Sequence, residues 1–329
     1  MAGLSRLYKK KLMAAVINTG STHPTRSHFD AQDFMERAAP GIKTVTEGWL
    51  NRFLYTTRTS HDSDLRAVAF QPVLPRSLRG QYPALAVPDM QAQKAADAFA
   101  AMYACDDAKR TAEAQSSTPE PGSSEKRIIT AGSQALTRLN RLRDALKQSP
   151  TSPQAKYPNT ELGRRFKDIA KLIKANVGLE ITAVDYNGWD HHAMQGGSQG
   201  VFSRMMDNVS RTLEAFMADL GSAINRTVVM TMSEFGRTAR ENGNSGSDHG
   251  HGGYMLLVGG RVNGGKIYGK WTGLGSRSLY EGRDLPVHTD FRDVFAEVLA
   301  ALYGFTADDH QFFPEYDAND KPLGLIRRV

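Results

Sequence analysis

Nine histidines punctuate the chain, and six of them (His28, His191, His192, His249, His251 and His288) stand near acidic residues or glycines. The densest segment is Tyr186–Gln195, YNGWDHHAMQ, directly after the apolar run EITAVD. Asp190, His191 and His192 therefore fall where a strand should end. Carboxylate and imidazole donors together suit a divalent cation such as zinc, manganese or iron. The same residues also fit a purely structural loop. A second segment, SGSDHGHGG, sets Asp248, His249 and His251 among glycines, which let a backbone pass close to an ion. The apolar run YMLLV follows at once and pins this loop to a sheet, which argues against a free Gly-His linker.

A third segment, TMSEFGR, brings Glu234 and Arg237 off the end of another apolar run. Ser233 fits a turn cap. Glu234 fits a carboxylate behind a metal ligand, a general base or a ligand itself. The fourth segment is TRSHFDAQD, where Ser27 and Asp30 have helix-capping spacing. The same geometry serves chemistry. A helix N-terminus attracts anions, Arg26 offers a forked donor, and a nearby metal would lower the hydroxyl pKa of Ser27. Ser27, Glu234 and Arg237 are thus candidates for catalysis. Arg26 and His28 are candidates for holding an anionic substrate. Asp190, His192, Asp248, His249 and His251 are candidates for holding a metal.

Such a set would build a metal-dependent hydrolase of phosphate or sulfate esters, with the metal polarising the ester and activating a hydroxyl or water. Its substrate would be a small anionic ester. A non-catalytic protein that binds a metal or anion is the alternative, and a gene fragment without stable function is a third. No G-x-x-x-x-G-K-[ST] loop occurs, and no G-x-G-x-x-G follows a first strand.

Composition bounds the rest. Over 329 residues, 40% are hydrophobic and 23% charged, which suits a globular chain with a sizeable core. A single cysteine, Cys105, rules out an internal disulfide and a Cys-based zinc cluster within one chain. No apolar run approaches the roughly 20 residues that span a bilayer. Lys and Arg number 41 against 35 Asp and Glu, a net charge of +6. No basic run is interleaved with aromatics, which argues against a nucleic-acid surface.

The elements that must position these residues alternate. Short apolar runs at Leu12–Ile17, Arg66–Phe70, Glu180–Asp185, Thr227–Met232 and Tyr254–Val258 lack period-two alternation, as strands covered on both faces do. Parallel strands would bring the site segments to one edge. Val201, Met205, Val209, Leu213, Phe216, Met217 and Leu220 recur at helical spacing. So do Phe291, Val294, Phe295, Val298, Leu299 and Leu302, after Thr289 as N-cap. A short helix over Met1–Leu12 feeds the first strand. Residues 90–176 read as a helical insertion, with helices over Gln91–Cys105, Lys126–Lys147 and Glu161–Ala175 and a flexible loop at 116–126. The expectation is a single α/β domain over 1–329.

The runs GWDHHAMQ, SEFGR, SDHGHGGYMLLVGGRVNGGKIYG and HTDFRDVFAEVL occur in an order that resembles the family catalogued as domain of unknown function 1501. TRSHFDAQDFME and GWLNRFL are similar to it as well. That family is placed in the alkaline phosphatase and sulfatase superfamily. The resemblance implies a three-layer α/β/α sandwich with a mainly parallel sheet and metal ligands at strand ends. It matches Asp190 and His192 to a W-D-x-H motif, with His191 at its variable position. It matches Asp248 and His249 to an Asp-His metal pair, and Glu234 and Arg237 to S-E-F-G-R. Family members often carry a twin-arginine export signal, which implies a periplasmic location when full length. They usually begin with a Gly-Gly-x-Asp-Gly segment, whose Asp is a metal ligand. None precedes MAAVI, so the resemblance implies truncation by a strand and a loop, one metal site intact and a second weakened.

Overall fold

A computed structural model describes residues 1–87, 137–307, 312–317 and 322–327. The expected loop at 116–126, the helix over Gln91–Cys105 and the first part of the Lys126–Lys147 helix lie outside these residues. The rest of the second helix is present over 137–148 (α4).

In chain order come α1 (Ala2–Lys9), β1 (Met13–Gly20), α2 (His28–Arg37), α3 (Trp49–Thr56), β2 (Ala67–Ala69) and β3 (Leu85–Ala86). After α4 follow α5 (Glu161–Ala175), β4 (Ile181–Ala183), α6 (Val201–Asp219), β5 (Val228–Met230) and β6 (Gly253–Gly259). The last are β7 (Lys266–Tyr268), β8 (Thr289–Asp290) and α7 (Phe291–Tyr303).

Each of the apolar runs expected as strands overlaps one, but they divide between sheets. One sheet runs β5-β6-β1-β7, with β8 also on β1; the other, wholly parallel, runs β3-β2-β4. The larger sheet is mixed, not mainly parallel. β1 pairs parallel with β7 and β8 and antiparallel with β6, and β6 is antiparallel to β5. The physical reason lies in the β5–β6 connection. A parallel return needs a long crossover, usually a helix. Residues 231–252 contain none and spend their length on the site loops.

Alternate strand residues enter two apolar clusters. Ala14, Val16, Ala67, Ala69, Met255 and Leu257 join Trp49, Phe53 and Phe295 of α3 and α7. Met13, Val68, Leu256 and Val258 join Leu4, Ile169 and Phe216 of α1, α5 and α6. Helices therefore cover strands on both sides, which explains why the strand sequences carry no alternation of polar and apolar residues.

Two helix details depart from the periodicity. Met206, not Met205, is buried on α6. The buried stripe turns there because α1 crosses at Ser210, whose Oγ accepts the Leu4 N–H at 2.9 Å. On α7 the N-cap is Asp290, whose carboxylate accepts the Arg292 N–H at 2.8 Å. Thr289 is instead paired to Thr19 of β1, so the helix starts one residue later than its hydroxyl suggested.

Phe295 is fully buried and stacks on Trp49 with ring centroids 4.2 Å apart. Phe295→Ala should cost on the order of 3–5 kcal/mol in denaturant unfolding. A loss below about 1 kcal/mol would contradict this packing.

Candidate functional site

β6 runs antiparallel to β1, so residues just before β6 lie beside the end of β1. β5 is antiparallel to β6 in turn, so the segment after β5 reaches the same edge. Three site segments, 21–28, 231–237 and 248–252, are thereby delivered together. Asp248 and His249 arrive there by preceding a strand, not by following a parallel one.

Backbone hydrogen bonds lock the loops to one another. Gly236 and Thr238 donate to the His251 and Asp248 carbonyls at 2.8 and 3.0 Å, and Gly250 donates to the Gly236 carbonyl at 2.8 Å. The loop after β4 is tied in by Ser247 N–H to the His191 carbonyl (2.9 Å), Met194 N–H to Asn244 (3.0 Å) and Gln195 N–H to Ser245 (2.9 Å). Such close approach requires glycine at several places. A Cβ on Gly236 would lie 1.8 Å from the Gly252 carbonyl oxygen, and one on Gly246 would lie 2.3 Å from the His192 carbonyl carbon.

Histidine orientation is the central feature. His249 Nδ1 lies 2.7 Å from the Arg26 carbonyl oxygen, which can only accept, so Nδ1 carries the hydrogen. His28 Nδ1 lies 2.6 Å from Glu234 Oε1, and His192 Nδ1 lies 2.9 Å from Asp248 Oδ1. An ionised carboxylate also only accepts, so the same assignment holds for both. All three rings therefore turn Nε2 toward Asp190. Nε2 lies 3.3 Å from Oδ2 for His28, and 3.0 and 3.1 Å from Oδ1 for His192 and His249. His192 and His249 Nε2 are themselves 2.9 Å apart. Phe235, buried, packs its ring against His28 and His249 at 4.9 and 4.7 Å and limits their rotation.

This donor set fits a divalent metal. The Nε2 atom of His28 is buried and has no hydrogen-bond partner among the described residues. Ligand atoms of His28, Asp190 and His249 lie within 4.8 Å of one another. Each imidazole has an oxygen on its far nitrogen, as metal-bound histidines almost always do. Separations near 3 Å suit neighbouring ligands on bonds of roughly 2.0–2.1 Å.

Asp190 also accepts from Arg237 Nη1. Burial works to raise its carboxyl pKa. The hydrogen bond from Arg237, the His28 imidazole beside it and the charges of Arg237 and His192 outweigh that and hold it at about 2. Asp190 is thus a carboxylate at any ordinary pH.

The remaining expected site residues take other places. Asp248 stands behind His192, where it also accepts from Asn242 at 2.9 Å. Glu234 stands behind His28 and takes the Ser233 hydroxyl on its other oxygen at 3.1 Å. The Arg237 guanidinium is spent on Asp190 and on the Ser247 carbonyl and hydroxyl. Arg26 is turned to Asp284 and Glu281, both at 2.6 Å. His251 is buried against the Tyr280 ring at 4.5 Å, not with the other imidazoles. Burial, with the charge of Arg26, lowers its pKa. Ser27 is the exposed N-cap of α2, but its hydroxyl makes no capping hydrogen bond. Gly196–Gly200 spells G-x-S-x-G, yet β4 ends at Ala183, so the strand-to-helix turn of a nucleophile elbow is not formed.

His28 is the residue whose part was missed, having been read as a substrate contact. Its signal was its place in the first loop off the central strand. Asn242 and Phe235 carry no pattern that marks them in the sequence.

A mixed-sheet α/β protein with an Asp and three imidazoles gathered at one sheet edge is thus defined. The chain belongs to the family described as Protein of unknown function (DUF1501), whose model matches residues 7–315. Comparison with curated proteins and with solved structures finds no match.

The loop contacts can be tested directly. Gly246→Ala should destabilise the protein by roughly 1–3 kcal/mol, the range for overpacking. Gly243→Ala, where an added Cβ meets nothing within 4 Å, should stay within about 0.5 kcal/mol in the same denaturant series. Equal effects would mean that the 191–192 and 246 backbones are not in contact.

Proposed function

We propose that the protein is a metal-dependent hydrolase of small phosphate or sulfate esters, with His28, Asp190, His192 and His249 as the metal-holding set. The observation that carries this is the convergence of three Nε2 atoms on the Asp190 carboxylate, each ring held by an oxygen at Nδ1. A divalent cation there, zinc first and manganese or iron as alternatives, would polarise the ester and lower the pKa of a bound hydroxyl or water.

The chain's own residues then divide the work. Glu234, Asp248 and the Arg26 carbonyl fix ring orientation. Arg237 keeps Asp190 ionised and aimed. Ser27, exposed at the N-terminus of α2, is placed one residue from His28, where the helix end favours an anion or an attacking hydroxyl. The wider placement in the alkaline phosphatase and sulfatase superfamily, with its three-layer sandwich, belongs to the same proposal. It is supported by helices on both sides of the strands and by donors at one sheet edge.

One observation favours the alternative of a non-catalytic metal- or anion-binding member. The guanidinium groups of Arg26 and Arg237 are already engaged with carboxylates, so neither stands ready for a substrate anion. Elemental analysis and turnover separate these readings. Wild-type protein should carry close to one equivalent of metal, and a His192→Ala, His249→Ala double variant should carry almost none. Equal content would refute the site. Zinc- or manganese-loaded protein should release p-nitrophenol from its phosphate or sulfate ester, and Asp190→Ala should abolish release. Metal retention without turnover of either ester would select the non-catalytic reading.

A further inference from the structure

We infer that Asp284 is a positioning residue for His249, acting through the two arginines that hold this histidine at its ring and at its backbone. Asp284 is fully buried. Its Oδ2 accepts from Arg26 Nε at 2.9 Å and Nη2 at 2.6 Å, and its Oδ1 accepts from Arg283 Nε at 3.0 Å. A buried carboxylate is costly unless paired, so this fork ties both arginines to one point.

Each arginine then grips His249. The Arg26 main-chain carbonyl accepts the Nδ1 hydrogen at 2.7 Å. The Arg283 Nη2 donates to the His249 carbonyl at 2.6 Å. Asp284 is itself anchored by backbone bonds with Tyr280 at 2.8 and 3.0 Å, and its neighbours by Ala239 N–H to the Arg283 carbonyl at 2.9 Å and Gly252 N–H to Leu285 at 2.7 Å. Hydrogen bonds at both ends of Arg26 thus link the Tyr280–Asp284 turn to the imidazole. Their effect is to hold the hydrogen on Nδ1 and leave Nε2 bare toward Asp190. Without the carboxylate, Arg26 keeps Glu281, on the exposed side, and the face of the Tyr280 ring, and the carbonyl that fixes the imidazole loses its buried anchor.

The metal-affinity arm of the test rests on the proposed metal site; the tautomer arm does not. In metal-free protein carrying ¹⁵N-histidine, long-range ¹H–¹⁵N spectra should show His249 hydrogen-bearing at Nδ1. Asp284→Asn should shift His249 toward the Nε2–H form and leave His192 unchanged. It should also weaken zinc binding about 10–100-fold, the usual effect of losing a residue behind a metal ligand. Arg283→Ala, at an exposed side chain, should act in the same direction more weakly, and it decides the question if Asp284→Asn does not fold. A folded variant of either kind with the wild-type His249 signals would overturn the assignment. If wild-type protein binds no zinc, the metal proposal fails, and the His249 tautomer still decides the role of Asp284.

Discussion

Two imidazole nitrogens 2.9 Å apart, each on a ring whose other nitrogen is committed to an oxygen, cannot both present lone pairs without positive charge between them. A proton or a metal ion meets that requirement. Asp190 and the buried Nε2 of His28 complete the same demand from the opposite side. Most of the local structure serves to maintain this arrangement. Glycines bring loop backbones to contact distance, Phe235 wedges two rings, and Arg237 supplies a fixed positive charge against Asp190. Structure of this kind costs backbone entropy and polar desolvation, so it is expected where function requires fixed geometry.

The sheet makes the gathering possible. With β6 antiparallel between β1 and β5, one edge collects two strand ends and one strand start. That mixture brings the 21–28, 231–237 and 248–252 segments together without crossover helices between β5 and β6. The second, parallel sheet contributes Asp190 and His192 through the long loop after β4. Its side chains share both apolar clusters with the first sheet, so the two sheets form one packed unit.

Much of this was legible in the residues. Apolar runs without alternation located the strands, because strands buried on both faces need no polar side. Helical spacing located α6 and α7, and clustered Asp and His located the site. Strand direction was not legible, since it depends on what the connection does, and the 231–252 loop looks like any glycine-rich stretch. The division of labour among the site residues was hidden as well. Asp248 and Glu234 resemble ligands by type, and only geometry shows them on the far nitrogens of His192 and His28. His251 lies two residues from His249, where an extended segment would put both on one face, yet the chain bends at His251 and turns it to Tyr280. Asp284 has no motif at all. Its importance follows from burial beside Arg26 and Arg283.

The central claim is that these imidazoles and Asp190 form one cation site. X-ray absorption at the zinc edge, on protein loaded with a single equivalent of zinc, tests it most directly. The account predicts outer-shell scattering from about three imidazoles, with nitrogen and oxygen donors at roughly 2.0–2.2 Å. A shell of oxygen donors alone, or zinc lost on simple buffer exchange, would contradict it.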